Sequence, residues 1–294
     1  MNDTQDTAQD LALLEAVEKA DDALLDYFRL LEHPFRGGPN YRFLYTTEQV
    51  NEAISRCIQM TVKRTNPVYM YGAYGTGKST IIRRLYALLS LDKRFEVKFI
   101  ILHNRVTANS LVRNMLEEFG IKTARSFDQS LRNLQNYLHE VNEAQKIPTM
   151  LIDEGQYMDK TALQTLHSVC NYEDEYVKKL QLVIAGQEDL ATKIHLMGEI
   201  KSRMKPVQID PMDAQELRKM LQYRWQVAGG KEEDFPFRAD DTEVFTVLFN
   251  HTNGLPRDAI KVCFELLIDL AATGKKKATA KEVEEIAKGQ NLRT

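Results

Sequence analysis

Eight consecutive residues, from Gly72 to Ser79, spell the pattern G-x-x-x-x-G-K-S. An apolar segment, Val68 to Tyr71, precedes the pattern, and residues typical of a helix follow it from Ile81 to Leu85. In a strand–loop–helix unit of this kind, the backbone N–H groups of the loop surround a phosphate at the start of the helix. Glycines are needed because the loop passes through backbone conformations that a side chain would block. The pattern therefore predicts an α/β fold that binds a nucleoside triphosphate.

The side chains of this loop have separate predicted tasks. Lys78 is placed to neutralise charge on the β- and γ-phosphates, and the Ser79 hydroxyl is placed to bind magnesium. ATP and Mg²⁺ are therefore the predicted cofactors. A glycine turn that matches the pattern by chance is the alternative, and the strand and helix on either side argue against it. The residues predicted to contact the nucleotide are Gly72, Ala73, Tyr74, Gly75, Thr76, Gly77, Lys78, Ser79 and Thr80.

A second apolar segment, Met150 to Ile152, ends in two acidic residues. The end of this strand is expected to place both carboxylates beside the glycine loop. Asp153 is predicted to bind magnesium, together with Ser79, and Glu154 is predicted to orient and polarise the water that attacks the γ-phosphate. An acidic turn after a core strand is the alternative interpretation.

Short apolar segments alternate with helical patterns between residues 67 and 211. Apolar strands that alternate with helices form a parallel sheet covered on both faces. The predicted strands are 68–71, 97–102, 149–152, 180–185 and 206–209. The predicted helices of this region include 109–119, 127–144, 161–172 and 189–203, and an earlier helix is expected to run from Thr46 or Thr47 to about Lys63.

Beyond Pro211 the chain shows helical patterns only, at 213–228, 240–251, 256–272 and 279–288. The predicted fold class is an α/β P-loop domain with a five-stranded parallel sheet, followed by a C-terminal all-helical lid domain. We expect an acidic tail and helix over 1–27, the nucleotide-binding domain over 28–211 and the lid over 212–294. Residues 1–10 are predicted to be disordered, and a helix is expected within 11–31.

The 294-residue chain carries a net charge of −3, so binding to nucleic acid would need a local basic patch or an assembly. Three cysteines, Cys57, Cys170 and Cys263, lie far apart in the chain, which is typical of free thiols in a reducing compartment. No apolar run approaches the roughly 20 residues of a membrane span, and the polar, acidic N-terminus is unlike a signal peptide. These features predict a cytoplasmic protein with no membrane partner.

The phosphate loop after the first strand, Asp153-Glu154 after the third and the helical lid together resemble the AAA+ ATPases. The resemblance implies magnesium-dependent hydrolysis of ATP to ADP and phosphate. It also implies roles for three further residues. Gln187 matches the sensor-one position after the fourth strand, although Asn, Thr or Ser is more frequent there. Arg203 matches the arginine finger that reaches a neighbouring subunit's nucleotide, and Arg257 of Gly254-Leu255-Pro256-Arg257 matches the sensor-two arginine. For both arginines an ordinary surface role is the alternative.

Several further segments resemble the ExeA/TnsC/TniB branch of that family, which includes transposition regulators related to MuB. These members imply a homo-oligomer, in the form of a ring or a helical filament, that assembles with ATP on double-stranded DNA. They also imply two protein partners, a transposase and a target-selection protein. The resemblance covers about residues 28–290 and rests on Pro34-Phe35, Arg42-Phe43-Leu44-Tyr45, Ile101-Leu102-His103-Asn104, Leu182 to Leu190 and Gly254 to Arg257.

In the compact TnsC-like proteins, DNA contacts come from the loop after the second strand and from a segment before the next long helix. The matching residues here are Arg105 and Thr107 in the first segment, and Lys122, Thr123 and Arg125 in the second. Contacts of this kind reach the DNA backbone, so binding should be independent of sequence and sensitive to salt. A solvated helical face is the alternative.

Three other functions remain open at this stage. The first is a secretion or envelope-assembly ATPase of the ExeA type, which would act on membrane proteins. The second is a replication initiator or loader, although such proteins usually add a separate DNA-binding domain. The third is a nucleotide-gated scaffold that barely hydrolyses ATP. Binding to random duplex DNA and steady-state ATPase rates distinguish among them.

Overall fold

The structure is a computed structural model, and it describes residues 18–174, 177–237, 242–290 and 292. The predicted disorder over residues 1–10 lies outside these ranges. The described residues form two compact units. We call Pro39–Tyr41 with Thr46–Asp210 the sheet unit. The helical unit consists of the described residues up to Gly38, Arg42–Tyr45 and the described residues from Pro211 onward.

The sheet unit contains strands β1 (Val68–Tyr71), β2 (Phe95–Ile101), β3 (Ile147–Asp153), β4 (Glu173–Asp174), β5 (Val177–Lys178), β6 (Gln181–Gly186) and β7 (Lys205–Gln208). Five of them form one parallel sheet in the order β2-β3-β6-β1-β7. The chain therefore crosses from β1, near one side, to β2 at the opposite edge. Such a change of direction opens a crevice at the carboxyl ends of the strands, where open α/β sheets bind ligands.

Seven helices accompany the sheet among the described residues: α2 (Glu48–Val62), α3 (Lys78–Ser90), α4 (Ala108–Phe119), α5 (Phe127–Glu143), α6 (Lys160–Cys170), α7 (Glu188–His195) and α8 (Gly198–Arg203). Several begin at a side-chain cap. Thr47, Ser126 and Asp159 each accept a hydrogen bond from the backbone of the first turn, which satisfies donors that a helix start leaves unpaired. The apolar faces of α4, α5 and α6 cover a core that includes Met150 and Ile152 of β3.

The sequence predicted the five parallel strands and the flanking helices, and the fold confirms them. One local prediction is wrong, and one small element was missed. The single helix expected over 189–203 is two helices, because α7 ends at His195 and α8 begins at Gly198. Met197 between them has a non-helical ψ of 82°, and glycine at the next position is a poor helix former. The hairpin of β4 and β5 was also not predicted, since each strand has only two residues.

The helical unit contains a helical segment over 18–28, which we call α1, and α9 (Ala214–Val227), α10 (Thr242–Thr252), α11 (Pro256–Ala272) and α12 (Ala280–Gly289). Trp225 of α9 is fully buried and packs edge-on against Phe28 and Phe235. Its indole N–H donates to the Lys231 carbonyl at 2.8 Å. The structure therefore places this tryptophan in the core of the helical unit.

The division into units lies within one residue of the expected boundary at 211 but differs from the expected boundary at 28. Residues up to Gly38, and Arg42–Tyr45, belong with the C-terminal helices and not with the sheet. The physical cause is a shared core, in which Phe28, Phe35 and Phe43 are buried among side chains of α9 and α11. The N-terminal segment thus completes the helical unit.

Within the described ranges, no helix combines the length and the apolar character that a membrane span requires.

Candidate nucleotide-binding site

Strands β1, β3 and β6 end at the same level of the sheet. Tyr71, the last residue of β1, pairs with Gly186, the last residue of β6. Across the next strand pair, Ile152 aligns with Ile184. Two residues further along both strands, Glu154 therefore lies level with Gly186. The glycine loop after β1, the acidic pair after β3 and the start of α7 after β6 thus converge on one edge of the sheet.

The glycine loop has backbone geometry that requires glycine. Gly75 and Gly77 have φ angles of 93° and 96°, which side chains rarely adopt. At Gly72 a Cβ atom would lie 2.1 Å from the Ile209 carbonyl oxygen, so only glycine allows this close approach. Helix α3 begins at Lys78, directly after Gly77. The loop is therefore the turn into a helix N-terminus that binds phosphate in other proteins.

Lys78 is folded back onto this loop. Its ammonium group donates to the carbonyls of Gly72 at 2.9 Å and Ala73 at 2.6 Å, and to the Thr76 hydroxyl at 3.1 Å. Thr76 in turn donates to the Ala73 carbonyl at 3.0 Å. The three donors of the ammonium group are all used, which is how a lysine that is only 8% exposed is accommodated.

Burial also changes the acidity of Lys78. It lowers the pKa of the ammonium group to about 8, while three carboxylates act in the opposite direction. These carboxylates belong to Glu154, Asp153 and Glu188. Asp153 and Glu154 were predicted from the sequence to lie beside the loop. In the structure both carboxylates are close enough to raise the pKa of Lys78. Glu188, in the first turn of α7, was not predicted, because nothing in its local pattern distinguishes it from a surface acid.

Asp153 is a buried carboxylate beside the Ser79 side chain and the Glu154 backbone N–H. Burial raises its pKa, and hydrogen bonds from the Ser79 side chain and the Glu154 backbone N–H lower it. The second of these hydrogen bonds measures 2.9 Å. A hydroxyl and a carboxylate at one point form the oxygen-rich ligand set that Mg²⁺ prefers, usually with several waters. Ser79 and Asp153 therefore fit the predicted magnesium site.

Glu154 has an unusual backbone and a side-chain partner that the sequence analysis missed. Its φ of 59° and ψ of 37° are left-handed, a conformation uncommon outside glycine. The Gln156 side-chain amide donates a short hydrogen bond to Glu154 Oε2. The same Gln156 side chain accepts a hydrogen bond at 3.1 Å from the Gln187 backbone N–H. Gln156 thus links the candidate catalytic acid to the sensor-one position.

The predicted sensors and arginine finger occupy separate elements. Gln187 immediately precedes α7, in the sheet unit, and its side chain does not cap that helix. Arg203 is the exposed last residue of α8, and its charge contributes to a lowered pKa of His167, for which burial is the main cause. Arg257 lies in the first turn of α11, in the helical unit. The roles of these three residues stay predictions.

The predicted DNA-binding residues lie at the two ends of α4. Arg105 precedes the helix and pairs with Asp159 at 3.2 Å, although its side chain is 80% exposed. The Thr107 hydroxyl caps the start of the helix, in a capping box with Ser110. Lys122, Thr123 and Arg125 follow the helix, in the turn to α5. Since α4 has 12 residues, the two segments are separated by about 18 Å along its axis.

Residues 62–194 match the family model for the AAA domain. This range includes the glycine loop, Asp153, Glu154 and Gln187. This part of the chain is therefore similar to AAA domains. The five-stranded sheet and phosphate-binding loop are those of the P-loop AAA+ fold.

One curated relative is General secretion pathway protein A of Aeromonas hydrophila, which is 28% identical over 258 residues. The match covers 85% of this chain and 45% of that protein. The chain therefore spans less than half the length of this relative.

Several solved structures share the fold. The Cdc6p structure from Pyrobaculum aerophilum has a TM-score of 0.64 at 17% identity, and the match covers 84% of this chain and 70% of that chain. The Aeropyrum pernix ORC2 protein, in ADPNP–ADP complexes, has a TM-score of 0.62 at 12% identity, with 84% and 68% covered. Domain III of the Thermotoga maritima replication initiation protein DnaA has a TM-score of 0.51 at 16% identity, with 86% and 97% covered. At these identities the likeness concerns the fold alone.

Proposed function

We propose that this protein hydrolyses ATP, assembles on double-stranded DNA in the presence of ATP and regulates the choice of a transposition target. In this proposal the assembly recruits or activates a transposase and responds to a target-selection protein. The observation that carries the DNA-binding part is the basic turn between α4 and α5, which contains Lys122 and Arg125. Within the described ranges neither side chain forms an ion pair, so both charges are available to phosphates.

The nucleotide part of the proposal assigns a task to each element of the site. The N–H groups of the glycine loop hold the phosphates, and Lys78 exchanges its carbonyl partners for phosphate oxygens. Ser79 and Asp153 hold Mg²⁺. Glu154 orients the attacking water, and the Gln187 side chain contacts that water or the γ-phosphate. Positioning and charge stabilisation of this kind account for most catalysis of phosphoryl transfer.

The assembly part of the proposal depends on the two arginines. Arg203, exposed at the end of α8, is proposed to reach the nucleotide of a neighbouring copy. Arg257 is proposed to respond to the γ-phosphate as sensor two. ATP would then stabilise contacts between copies, and hydrolysis would weaken them. Repetition of one weak DNA contact along a ring or filament would allow a chain with a net charge of −3 to bind DNA.

The test is binding to random-sequence duplex DNA with ATP, with a non-hydrolysable analogue and without nucleotide, over a series of salt concentrations. We expect nucleotide-dependent binding that weakens steeply with salt. Lys122→Glu should weaken it, while Lys219→Glu, an equal charge change at an exposed position of α9, should not. Equal weakening by both variants would contradict the assigned contact. Electron microscopy of the same mixture then tests for rings or filaments.

A secretion ATPase is the second candidate, and the 28% identity to General secretion pathway protein A favours it. Its partners would be membrane proteins, and duplex DNA would affect neither assembly nor turnover. ATP-dependent assembly that is indifferent to DNA at low salt would therefore favour this candidate over the first.

A further inference from the structure

We infer that Gln156 is a positioning residue for ATP hydrolysis, which fixes the Glu154 carboxylate relative to the segment that begins at Gln187. The inference rests on the catalytic role proposed for Glu154. It adds to that role a physical link between the water-activating carboxylate and the strand end that faces the γ-phosphate.

The hydrogen-bond pattern requires an amide at position 156. The backbone N–H of Gln187 can only donate, so the Gln156 atom that it contacts must be the carbonyl oxygen, at 3.1 Å. The amide nitrogen of Gln156 then faces the Glu154 carboxylate, which can only accept when it is ionised. A neutral side chain with an acceptor on one atom and a donor on the other satisfies both neighbours, and an ionised carboxylate does not.

The surrounding backbone holds this amide in place. Gly186 makes room for it, because a Cβ atom there would lie 3.1 Å from Gln156 Oε1 and 2.7 Å from a Leu190 methyl group. The Gln156 backbone carbonyl accepts a short hydrogen bond from the Lys193 ammonium group, which also donates to the Met158 carbonyl at 3.0 Å. The main chain of residue 156 is therefore tied to α7, and its side chain is tied to the start of the same helix.

The hydrogen bond from Gln156 fixes the orientation of the Glu154 carboxylate. One oxygen of the Glu154 carboxylate, Oε2, is engaged by the amide, which leaves Oε1 to accept a hydrogen bond from water. The carboxylate cannot rotate without breaking the bond to Gln156. Any displacement of the Gln187 backbone also moves the amide, and with it Glu154. The position of the catalytic acid is thereby coupled to the segment after β6.

The first test replaces Gln156 by methionine, which has a similar length but neither donor nor acceptor. We expect kcat to fall by about 10-fold or more, the range known for partners that orient a functional group. The KM for ATP should change less than about twofold, since the glycine loop and Lys78 are untouched. Gln164→Met, on an exposed face of α6, is the matched control and should leave both constants unchanged. An unchanged kcat in Gln156→Met would overturn the inference.

The second test uses Gln156→Glu and a pH profile. At pH 8 two carboxylates would face each other, so turnover should fall by at least about 10-fold as the pair competes for one proton. As pH falls, the introduced carboxyl group becomes protonated and carries an O–H donor and a carbonyl acceptor, like the amide. The ratio of variant to wild-type kcat should therefore rise at least about threefold from pH 8 to pH 6. A ratio that is constant with pH would contradict the proposed hydrogen bond from position 156 to the Glu154 carboxylate.

The same assays distinguish a failure of this inference from a failure of the catalytic role proposed for Glu154. If Glu154→Gln hydrolyses ATP at the wild-type rate, the catalytic role of Glu154 fails, and the inference fails with it. If Glu154→Gln loses turnover while Gln156→Met retains it, only the inference fails. Circular dichroism and a nucleotide-binding titration of each variant establish that a lost rate reflects catalysis rather than unfolding.

Discussion

The Ser79 side chain lies beside the Asp153 carboxylate and lowers its pKa, so the first turn of α3 and the end of β3 meet at this point. Both groups are fixed by regular secondary structure, so the candidate magnesium ligands need little rearrangement to bind an ion. We therefore expect Asp153→Asn to raise the Mg²⁺ concentration needed for half-maximal ATPase activity by at least about 10-fold, because it removes one of the anionic oxygens that Mg²⁺ favours. The measurement is a Mg²⁺ titration of steady-state hydrolysis at saturating ATP.

Asp189→Asn serves as the control for that titration, since Asp189 is an exposed acid in the first turn of α7. An unaltered Mg²⁺ requirement in Asp153→Asn would remove this residue from the metal site.

Glu154→Gln should separate nucleotide binding from hydrolysis. The amide keeps the size of the side chain but cannot polarise water as a carboxylate does, so we expect turnover to fall by about 100-fold or more. ATP affinity should be retained, and assemblies formed with ATP should persist. Phosphate release and size-exclusion chromatography with ATP measure the two effects, with Glu52→Gln on α2 as the control. Rapid disassembly of the variant with ATP would contradict the proposed switch.

The pKa of Lys78, lowered to about 8, predicts a pH-dependent affinity for ATP. Below pH 8 the ammonium group is charged both before and after the phosphates bind. Above pH 8 the free protein has lost this proton, while phosphate charge raises the pKa in the complex, so binding requires proton uptake. The affinity should therefore fall as pH rises above 8, by at most about tenfold per pH unit for one proton.

Calorimetry in buffers of different ionisation enthalpy measures this proton uptake directly. Lys78→Arg supplies a side chain that stays charged across the range, so any nucleotide binding it retains should lack the pH dependence. Lys78→Ala should lose nucleotide binding altogether. A wild-type affinity that is flat between pH 7 and pH 9.5 would contradict the shifted pKa.

Gly72→Ala should destabilise the sheet unit and disrupt the nucleotide site together. The added methyl group would lie 2.1 Å from the Ile209 carbonyl oxygen, which belongs to backbone and cannot yield as a flexible side chain does. We expect the free energy of unfolding to fall by about 2 kcal/mol or more, the cost typical of overpacking in a rigid site. Thermal unfolding measures this loss. Gly37→Ala is the control, because no atom lies within 4 Å of its added methyl group.

The sheet could be predicted from the sequence because its strands are short apolar segments, each followed by a helical pattern. The position of the acidic pair at a strand end could also be predicted, since Met150 to Ile152 is an apolar run that is followed directly by Asp153. The break between α7 and α8 was missed because Leu196 and Met197 continue an apolar helical pattern. Only Gly198 signalled an end, and a single glycine is tolerated within many helices.

Gln156 shows a different limit of sequence reasoning. The residue lies two positions after Glu154, and its partner Gln187 lies 31 positions further along the chain. No periodic pattern brings the two together, because the contact depends on the pairing of β3 with β6. The lysine run 275–277 illustrates the opposite case. Its charge alone does not reveal its partners, because Lys275 pairs with Glu282, and Lys277 donates to the Phe235 carbonyl at 2.7 Å.

The buried Arg224 of α9 donates to the carbonyl of Pro34 at 2.8 Å and lies over the ring of Phe43. This hydrogen bond joins residues 190 positions apart, and the whole sheet unit lies between them in the chain. During synthesis, the segment that contains Pro34 leaves the ribosome long before Arg224 does. All residues of the sheet unit are therefore synthesised before α9. The segment that contains Pro34 can form its contacts with Arg224 only after α9 has been made. We therefore expect the core of the helical unit to be completed last during synthesis.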